Sequence, residues 1–367
     1  GFLLSGVEEE YPSYVLGFCS VAICQWGLFL FYAVIHRSSF EVETLAFFLC
    51  TLGMAAIATV KPGEILKQAA AMVLGVLTFL LIGWSLRDLE RAKRCRYLAV
   101  LLGVGFLVIT LLFGREYYGA KNWLVIGGLS LQPSELSKVC FVYAGASTMD
   151  RIMNKRNLIL FIAYSVVICG LLALMNDFGT AMIFFCAFLI IAYLRSGSVG
   201  TIALACTALG FAGVLAIRIA PHALNRFATW RHIWENPYSS GYQQTQAIMC
   251  IASGGLFGLG AGKGFLQKVF AADSDIVFAT ISEEWGLLLA LLAVLVVAAL
   301  GFFAIRTSRV SRSSFYCIGG CTAAGILLIQ AALNCLGTVD VLPFTGVTFP
   351  FLSNGGTSMI GAWGLLA

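Results

Sequence analysis

Long apolar runs recur along this chain, and several approach or exceed the ~17–25 residues that a helix needs to cross a bilayer. The 367 residues are 60% hydrophobic and 11% charged, against roughly 25% charged residues in an ordinary globular protein. Backbone groups in lipid must be satisfied internally, so such runs form helices or barrel strands, and continuous rather than alternating runs argue against a barrel. The sequence predicts an all-α fold, a polytopic membrane helical bundle.

Eleven apolar segments are predicted to be helices. They are residues 14–35, 45–60, 66–86, 97–114, 136–149, 157–175, 178–194, 199–219, 284–306, 314–336 and 355–367. One membrane domain is expected, with long loops at about 115–135 and 220–283 and a moderate one at 337–354. A helix is predicted inside the longest loop, at Tyr242–Ala252. Because the chain begins with Gly1 rather than Met and stops abruptly at Ala367, we expect a longer gene product.

The distribution of charge predicts which loops face the cytoplasm. More than half of the 23 basic residues fall in alternate short loops, whereas most of the 18 acidic residues do not. The positive-inside rule then places the N-terminus and the 220–283 loop outside. These basic runs are a topology signal, so no nucleic-acid binding is expected. The twelve cysteines lie mostly within apolar runs without a CxxC spacing, and only three histidines occur, so packing is favoured over disulfides or zinc.

Four segments carry polar clusters, and all fall at the outer ends of predicted helices. They are Gly119–Lys138, Asn176–Thr180, Ile251–Gly286 and Leu342–Ser358. Their common side predicts one outward-facing site. Asp177 is expected to cap the helix that follows it.

The segment Ile251–Gly286 combines six glycines between positions 254 and 264 with four carboxylates. Its glycines do not match the G-x-x-x-x-G-K-[ST] phosphate loop, so close packing is favoured over contact with a ligand's phosphates. Asp273 and Asp275 fit a catalytic role and a solvated loop equally well. Glu283 and Glu284 are predicted to open an apolar helix, where acidic residues favour the dipole, with Ser282 as N-cap.

Glu135 and Lys138 lie three residues apart, on one face of a predicted helix. Lys138 falls inside the apolar run, and an ionisable residue there is a functional candidate. A purely structural ion pair is the alternative. Trp123 and Trp230 fit an interfacial aromatic belt, but their basic neighbours Lys121 and Arg231 leave sugar stacking open.

Taken together, these segments resemble the SEDS family, the RodA, FtsW and SpoVE proteins. GAKNW…QPSELSK is similar to the family's GARRW…QPSELAK, and NDFGTAM to QPDLGTA. YQQTQAIMCIASGGLFGLGAGKG and DSDIVFATISEEWG are similar to its glycine-rich and TDFIFAVIAEELG segments. LPFTGVTFPFLSNGGTS is similar to LPxTGxPLPFxSYGGSS. The likeness covers residues 45–367, with ten family helices, and residues 1–44 supply an extra N-terminal transmembrane helix.

The resemblance implies a peptidoglycan glycosyltransferase that polymerises lipid II at the outer face of the bacterial plasma membrane. It serves cell shape, division or sporulation. The family's essential loop aspartate maps to Asp275, and the cavity-lining pair of QPSELAK maps to Glu135 and Lys138. A general base would take the attacking hydroxyl's proton, and cations would stabilise the leaving pyrophosphate. The substrate-binding candidates are Glu135, Lys138, Lys121, Trp123, Arg226, Arg231 and Gln243.

We expect three departures from the family pattern to change substrate contacts rather than the reaction class. Lys121-Asn122 replaces an Arg-Arg pair, Asn176 replaces a proline, and Asn354 replaces the tyrosine of SYGG. The missing positive charge near Asn122 favours a supplementary divalent cation, Mg²⁺ or Mn²⁺, and no nucleotide is expected.

The resemblance also implies two partners besides membrane lipid. One is the undecaprenyl-pyrophosphate-linked glycan, and the other is a class B penicillin-binding transpeptidase. The rival reading is a lipid II flippase, which has no need of a base at Asp275. A non-catalytic scaffold for a cell-wall synthase is a third reading, and the intact Asp275, Glu135 and Lys138 argue against it.

Overall fold

The predicted segments are mostly helical in the described residues, apart from some of their ends and a break at Gly286. The computed structural model describes residues 11–37, 39–117, 119–127, 129–149, 155–207, 210, 228–311 and 313–367. The first eight labelled helices are α1 (Tyr11–Val34), α2 (Glu41–Val60), α3 (Ile65–Leu86), α4 (Leu89–Arg94), α5 (Arg96–Phe113), α6 (Pro133–Met149), α7 (Lys155–Leu174) and α8 (Phe178–Ser196). Residues 199–207 are also helical. The later helices are α9 (Tyr242–Gly254), α10 (Val277–Trp285), α11 (Leu287–Val310), α12 (Ser314–Thr338) and α13 (Gly356–Leu366).

In the described part of the chain, eight helices are long and apolar enough to cross a membrane. They are α1, α2, α3, α5, α7, α8, α11 and α12. Their outward faces carry large apolar side chains, such as Leu101 and Val166, which are 69% and 66% exposed. Because such side chains are stable only against lipid or protein, the chain is a multi-pass helical membrane protein.

Two features of the fold depart from the sequence predictions. The first is a small antiparallel sheet in the 115–135 loop, with the order β1 (Arg115–Tyr117), β2 (Ala120–Ile126) and β3 (Leu129–Leu131). Leu124 pairs with Leu131, and Arg115 pairs with Trp123. The alternation in this loop is too short to stand out among the apolar runs.

The second departure is the start of the helix predicted at 284–306. Glu283 and Glu284 lie near the end of the separate helix α10, and the chain then breaks at Gly286, whose φ is +94°. The prediction that Ser282 is an N-cap is therefore wrong. Its hydroxyl donates to the Phe278 carbonyl, one turn earlier in α10. The helix predicted in the long loop is confirmed as α9.

The described residues belong to two compact units. The first contains Gly1–Thr78, Thr229–Leu300 and Gln330–Trp363, and the second contains Phe79–Ala228, Gly301–Ile329 and Gly364–Ala367. In the first unit, a buried apolar cluster joins α9 and α10 to the loop between them: Ala247, Cys250, Leu266, Val269, Ala272, Ile276 and Ala279. In the second unit, Phe141 packs against the rings of Phe161, Tyr164 and Phe184.

Candidate functional site

Asp275 lies in the turn that leads into α10. Ala271 adopts a left-handed φ of +57°, and its carbonyl accepts hydrogen bonds from the backbone N–H groups of Ser274 and Asp275 at 3.2 and 3.0 Å. Ile276, buried in the apolar cluster, follows at once. The turn therefore fixes the backbone of Asp275 while its side chain remains half-buried.

Two residues from later in the chain contact Asp275. The side-chain amide of Asn334, on α12, donates to the Asp275 carbonyl at 2.9 Å and to the Val347 carbonyl at 2.8 Å. Gly346 has a φ of +67°, and a Cβ there would lie 3.3 Å from Oδ2 of Asp275. The segment after α12 thus runs directly against the carboxylate, at a glycine that leaves it room.

Asp273 has a different environment from Asp275. Its side chain is 1% exposed and accepts from Lys61 Nζ at 2.9 Å through Oδ1. Its Oδ2 accepts from the side-chain amide of Asn354 at 2.6 Å. The structure distinguishes two residues that the sequence left equivalent, because Asp273 is almost wholly buried whereas Asp275 is only half-buried.

Glu283 and Glu284 do not cap α11 as predicted, because both lie buried within α10. The Glu283 carboxylate accepts the backbone N–H groups of Phe265 and Leu266 at 2.8 and 3.0 Å. It holds the loop before α10 rather than the start of its own helix.

The Glu284 carboxyl has a pKa raised to about 7, chiefly by burial. The negative charge of Glu283 also raises it, whereas hydrogen bonds from Thr59 and from the backbone of Gly262 and Gly264 lower it. Glu284 is thus a carboxyl whose charge changes near neutral pH.

Three glycines of this region, Gly254, Gly258 and Gly264, are closely packed, whereas the space at Gly255 and Gly262 is open. A Cβ on Gly254 would clash with the Ser282 carbonyl, and one on Gly258 would lie 2.4 Å from the Glu284 carbonyl oxygen. The backbone N–H groups of Leu259 and Gly260 donate to the carbonyls of Glu283 and Glu284, both at 2.9 Å. The glycine segment therefore binds the end of α10, backbone against backbone.

Two other predicted site residues of the first unit contact neighbouring loops. The side-chain amide of Gln243 donates to the Phe270 carbonyl at 2.9 Å. The backbone N–H of Arg231 donates to Asp340 at 3.1 Å, and its guanidinium lies 5.3 Å from the ring centre of Trp230. Arg231 is exposed, so its charge is open to solvent.

The second unit holds Glu135 and Lys138 together near the start of α6. Lys138 Nζ lies 2.7 Å from Glu135 Oε2, and the two side chains are 1% and 7% exposed. No described group meets the geometry of a hydrogen bond with the Lys138 ammonium, so the contact is an ion pair in which the ammonium donor has no aligned acceptor. A buried charge of this kind needs its partner, because an unpaired charge is costly to bury.

Lys121 and Trp123 lie on β2, in the same unit. The Lys121 backbone N–H donates to the Met175 carbonyl at 2.9 Å, which ties the strand to the end of α7. Asp177 caps α8 by accepting the Thr180 N–H at 3.1 Å, as predicted, and it also accepts from the Asn122 side chain at 3.2 Å. Arg226 lies outside the described residues.

Sequence reasoning missed four residues that contact the aspartate turn: Lys61, Asn334, Gly346 and Ser353. Asn334 had a usable signal, since a buried amide inside an apolar helix needs hydrogen-bond partners. Lys61 had none, because it is 212 positions from Asp273. Among the described residues, no group of three or more His, Cys, Asp or Glu side chains could hold a metal ion.

The relatives found by comparison with known proteins agree with one another. A family model described as "Cell cycle protein" (FtsW, RodA, SpoVE) matches residues 29–367. Peptidoglycan glycosyltransferase RodA of Mycobacterium tuberculosis (strain ATCC 25618 / H37Rv) is 30% identical over 82% of this chain and 68% of its own length. The probable peptidoglycan glycosyltransferase FtsW of Bacillus subtilis (strain 168) is 30% identical over 100% of this chain and 92% of its own length.

Solved structures share the fold. A chain from the work "Structural coordination of polymerization and crosslinking by a peptidoglycan synthase complex" aligns with a TM-score of 0.73 and 22% identity, covering 89% of this chain and 94% of that one. The rod shape determining protein RodA of Thermus thermophilus aligns with a TM-score of 0.66 over the same shares. From the match to residues 29–367 and the two relatives at 30% identity, the chain belongs to the FtsW/RodA/SpoVE family.

Proposed function

We propose that this membrane protein is a peptidoglycan glycosyltransferase that polymerises lipid II, with Asp275 as its general base. The observation that carries the assignment is the contrast at the aspartate turn. Asp273 is almost wholly buried, with its carboxylate oxygens contacted by Lys61 and Asn354. Asp275 is only half-buried, on a backbone fixed by Ala271 and Asn334. A base needs a fixed position and access to its substrate.

The proposed reaction transfers one glycosyl group and one proton. A sugar hydroxyl oxygen attacks the anomeric carbon of a second lipid-linked sugar, and a C–O glycosidic bond forms. The bond from that carbon to undecaprenyl pyrophosphate breaks, and the pyrophosphate leaves with the bonding electron pair. The hydroxyl proton passes to the carboxylate of Asp275. General-base catalysis of this kind contributes roughly 10²–10⁴-fold.

The leaving pyrophosphate needs positive charge. Lys138 is the strongest candidate in the second unit, since its ammonium is buried, paired with Glu135 and without an aligned hydrogen bond among the described residues. Lys121, in the second unit, and Arg231, in the first unit, are further candidates. A divalent cation, Mg²⁺ or Mn²⁺, stays a proposal. The described residues offer no three-carboxylate or imidazole group for one, so no step is assigned to it.

The location and partners follow from the family and from charge. The bias of basic residues toward alternate loops supports an outer position for the loop that carries Asp275, in a bacterial plasma membrane. One relative of the same fold belongs to a synthase complex that couples polymerization and crosslinking. By analogy, a class B penicillin-binding transpeptidase is proposed to crosslink the strands that this chain makes.

A vesicle experiment separates this function from that of a lipid II flippase. Purified protein is reconstituted with fluorescent lipid II, and glycan chain length and lipid translocation are scored separately. Chain formation is the expected result, and translocation without chains would support the flippase. Orientation is read in the same vesicles from Tyr238→Cys, since Tyr238 is 91% exposed in the same loop region. A membrane-impermeant thiol reagent should label this cysteine, above the wild-type background, where the polymerising face is on the outside of the vesicle.

A further inference from the structure

Asp273 lies two residues before the proposed base, and other residues contact both its carboxylate oxygens and its backbone carbonyl. Lys61 Nζ lies 2.9 Å from its Oδ1. Asn354 contacts it twice: the side-chain amide donates to Oδ2 at 2.6 Å, and the backbone N–H donates to the Asp273 carbonyl at 2.8 Å. A carboxylate that is 1% exposed is stable only when its charge is paired and its oxygens are hydrogen-bonded. Both conditions are met here.

The next two residues, Ser274 and Asp275, accept hydrogen bonds from two further side chains. Ser353, adjacent to Asn354, donates its hydroxyl to the Ser274 carbonyl at 2.6 Å. Asn334 donates to the Asp275 carbonyl at 2.9 Å. Three consecutive residues, 273 to 275, are therefore tied to side chains from the residue after α2, from α12 and from the segment before α13. Asp273 is tied through its own charged side chain.

Resting on the proposed function, we propose that Lys61, Asp273 and Asn354 form a positioning clamp that sets the carboxylate of Asp275 in place for proton transfer. Asn354 is one of the three departures from the family pattern, where a tyrosine stands in SYGG. Its contact with Asp273 gives that departure a physical reason. The clamp acts through Asp275, so its members are positioning residues and do not touch the reacting atoms.

The clamp makes a specific prediction about kinetic constants. A displacement of about 1 Å at a catalytic group can cost on the order of 100-fold in rate. Weakening the clamp should therefore lower kcat for lipid II polymerisation by about 10- to 100-fold while KM stays within about twofold. A group that bound the substrate directly would instead raise KM.

Reciprocal variants test this with a built-in control. Asp273→Asn has one acceptor oxygen, which cannot serve Lys61 and Asn354 together. Asn354→Asp sets two carboxylates against each other where the atoms lie 2.6 Å apart. The double variant D273N/N354D restores a donor–acceptor pair, and we expect its kcat to recover at least tenfold over that of N354D. Thermal unfolding of each variant in detergent reports whether it folds.

Lys61→Gln keeps the test open if either single variant fails to fold, because Lys61 is 49% exposed and the glutamine amide can still donate a hydrogen bond to the Asp273 carboxylate. Its kcat should fall with KM unchanged, and Lys61→Arg should restore kcat. A raised KM at unchanged kcat would overturn the clamp by making Lys61 a substrate ligand.

Asp275→Asn, assayed alongside, separates the two proposals. If D275N polymerises normally, the proposed base is wrong and the clamp falls with it. If D275N is inactive but D273N and N354D keep wild-type kcat, the clamp alone is wrong.

Discussion

At the residue scale, the two adjacent glutamates of α10 show how burial divides similar side chains. Glu283 accepts two backbone N–H groups and so keeps its charge satisfied in a buried position. Glu284 is 2% exposed, and its Oε2 has no hydrogen-bond partner among the described residues. Burial raises its pKa from the ordinary 4.5 to about 7. The protonated form is therefore favoured in the folded protein.

This pKa predicts a pH dependence of stability. The unfolded chain releases the Glu284 proton near pH 4.5, whereas the folded chain keeps it up to about pH 7. Between these values the folded state binds more protons, so the free energy of unfolding falls as pH rises, by about 3 kcal/mol in total. Glu284→Gln, which mimics the neutral acid, should flatten this slope. The unfolding temperature of both proteins at pH 5 and pH 8 measures it.

Glu283→Gln is the matched control for that measurement. Its amide oxygen can accept only part of what the carboxylate accepts from Phe265 and Leu266, so this variant should be less stable at every pH. The slope should remain, although it becomes shallower because the Glu283 charge contributes to the raised pKa. A wild-type slope in Glu284→Gln would show that another group is responsible.

Sequence reasoning placed both aspartates in one candidate segment but could not rank its carboxylates without the family resemblance. Asp273 and Asp275 share their residue type and neighbourhood, and only long-range contacts distinguish them. Asn354 lies 81 positions from Asp273. Such pairings are set by the tertiary fold, and local spacing carries no information about them.

At the element scale, helix starts were predicted where a local signal was sufficient. Asp177 precedes an apolar helix and caps it through a bond within four residues. The start at Ser282 failed because the apolar pattern runs through two helices, α10 and α11, and the break falls at Gly286. That break exists because Gly286 approaches the backbone of Leu256 and Phe257, a contact that no local pattern reveals.

The packing of the glycine segment against α10 gives an element-scale prediction. Gly258 and Gly262 both have positive φ, +81° and +74°, so alanine at either position carries a similar backbone strain of roughly 1–2 kcal/mol. Only Gly258→Ala also places a Cβ 2.4 Å from the Glu284 carbonyl oxygen, whereas the space at Gly262 is open within 4 Å. Gly258→Ala should therefore lower the unfolding temperature clearly more than Gly262→Ala. Equal losses in the two variants would contradict backbone packing at this contact.

At the scale of the whole molecule, the apolar runs were enough to predict a multi-pass helical protein. The hydrophobic effect and the need to satisfy backbone groups in lipid leave few alternatives for such runs. Eight helices in the described part of the chain meet the length and composition needed to span. The helix α6 has 17 residues and carries the Glu135–Lys138 pair, so polarity lowers its hydropathy where a functional candidate lies. The short sheet β1–β3 was missed because strand alternation is weak over a few residues.

The separate roles assigned to the extra N-terminal helix, 1–44, and to the family region, 45–367, stay predictions. The family model begins at residue 29, within α1. Where the described residues allow a comparison, the helix boundaries of the prediction and the structure differ by only a few residues for most spans, since charged or polar residues mark the ends of the apolar runs.

The most direct test of the account is lipid II polymerisation by purified Asp275→Asn protein. Asparagine keeps the size and shape of the side chain but cannot take the hydroxyl proton, so we predict a loss of about 100-fold or more in kcat. Lipid II binding and the unfolding temperature should match the wild type. Glycan chains formed by this variant at the wild-type rate would contradict the assignment of Asp275 as the general base.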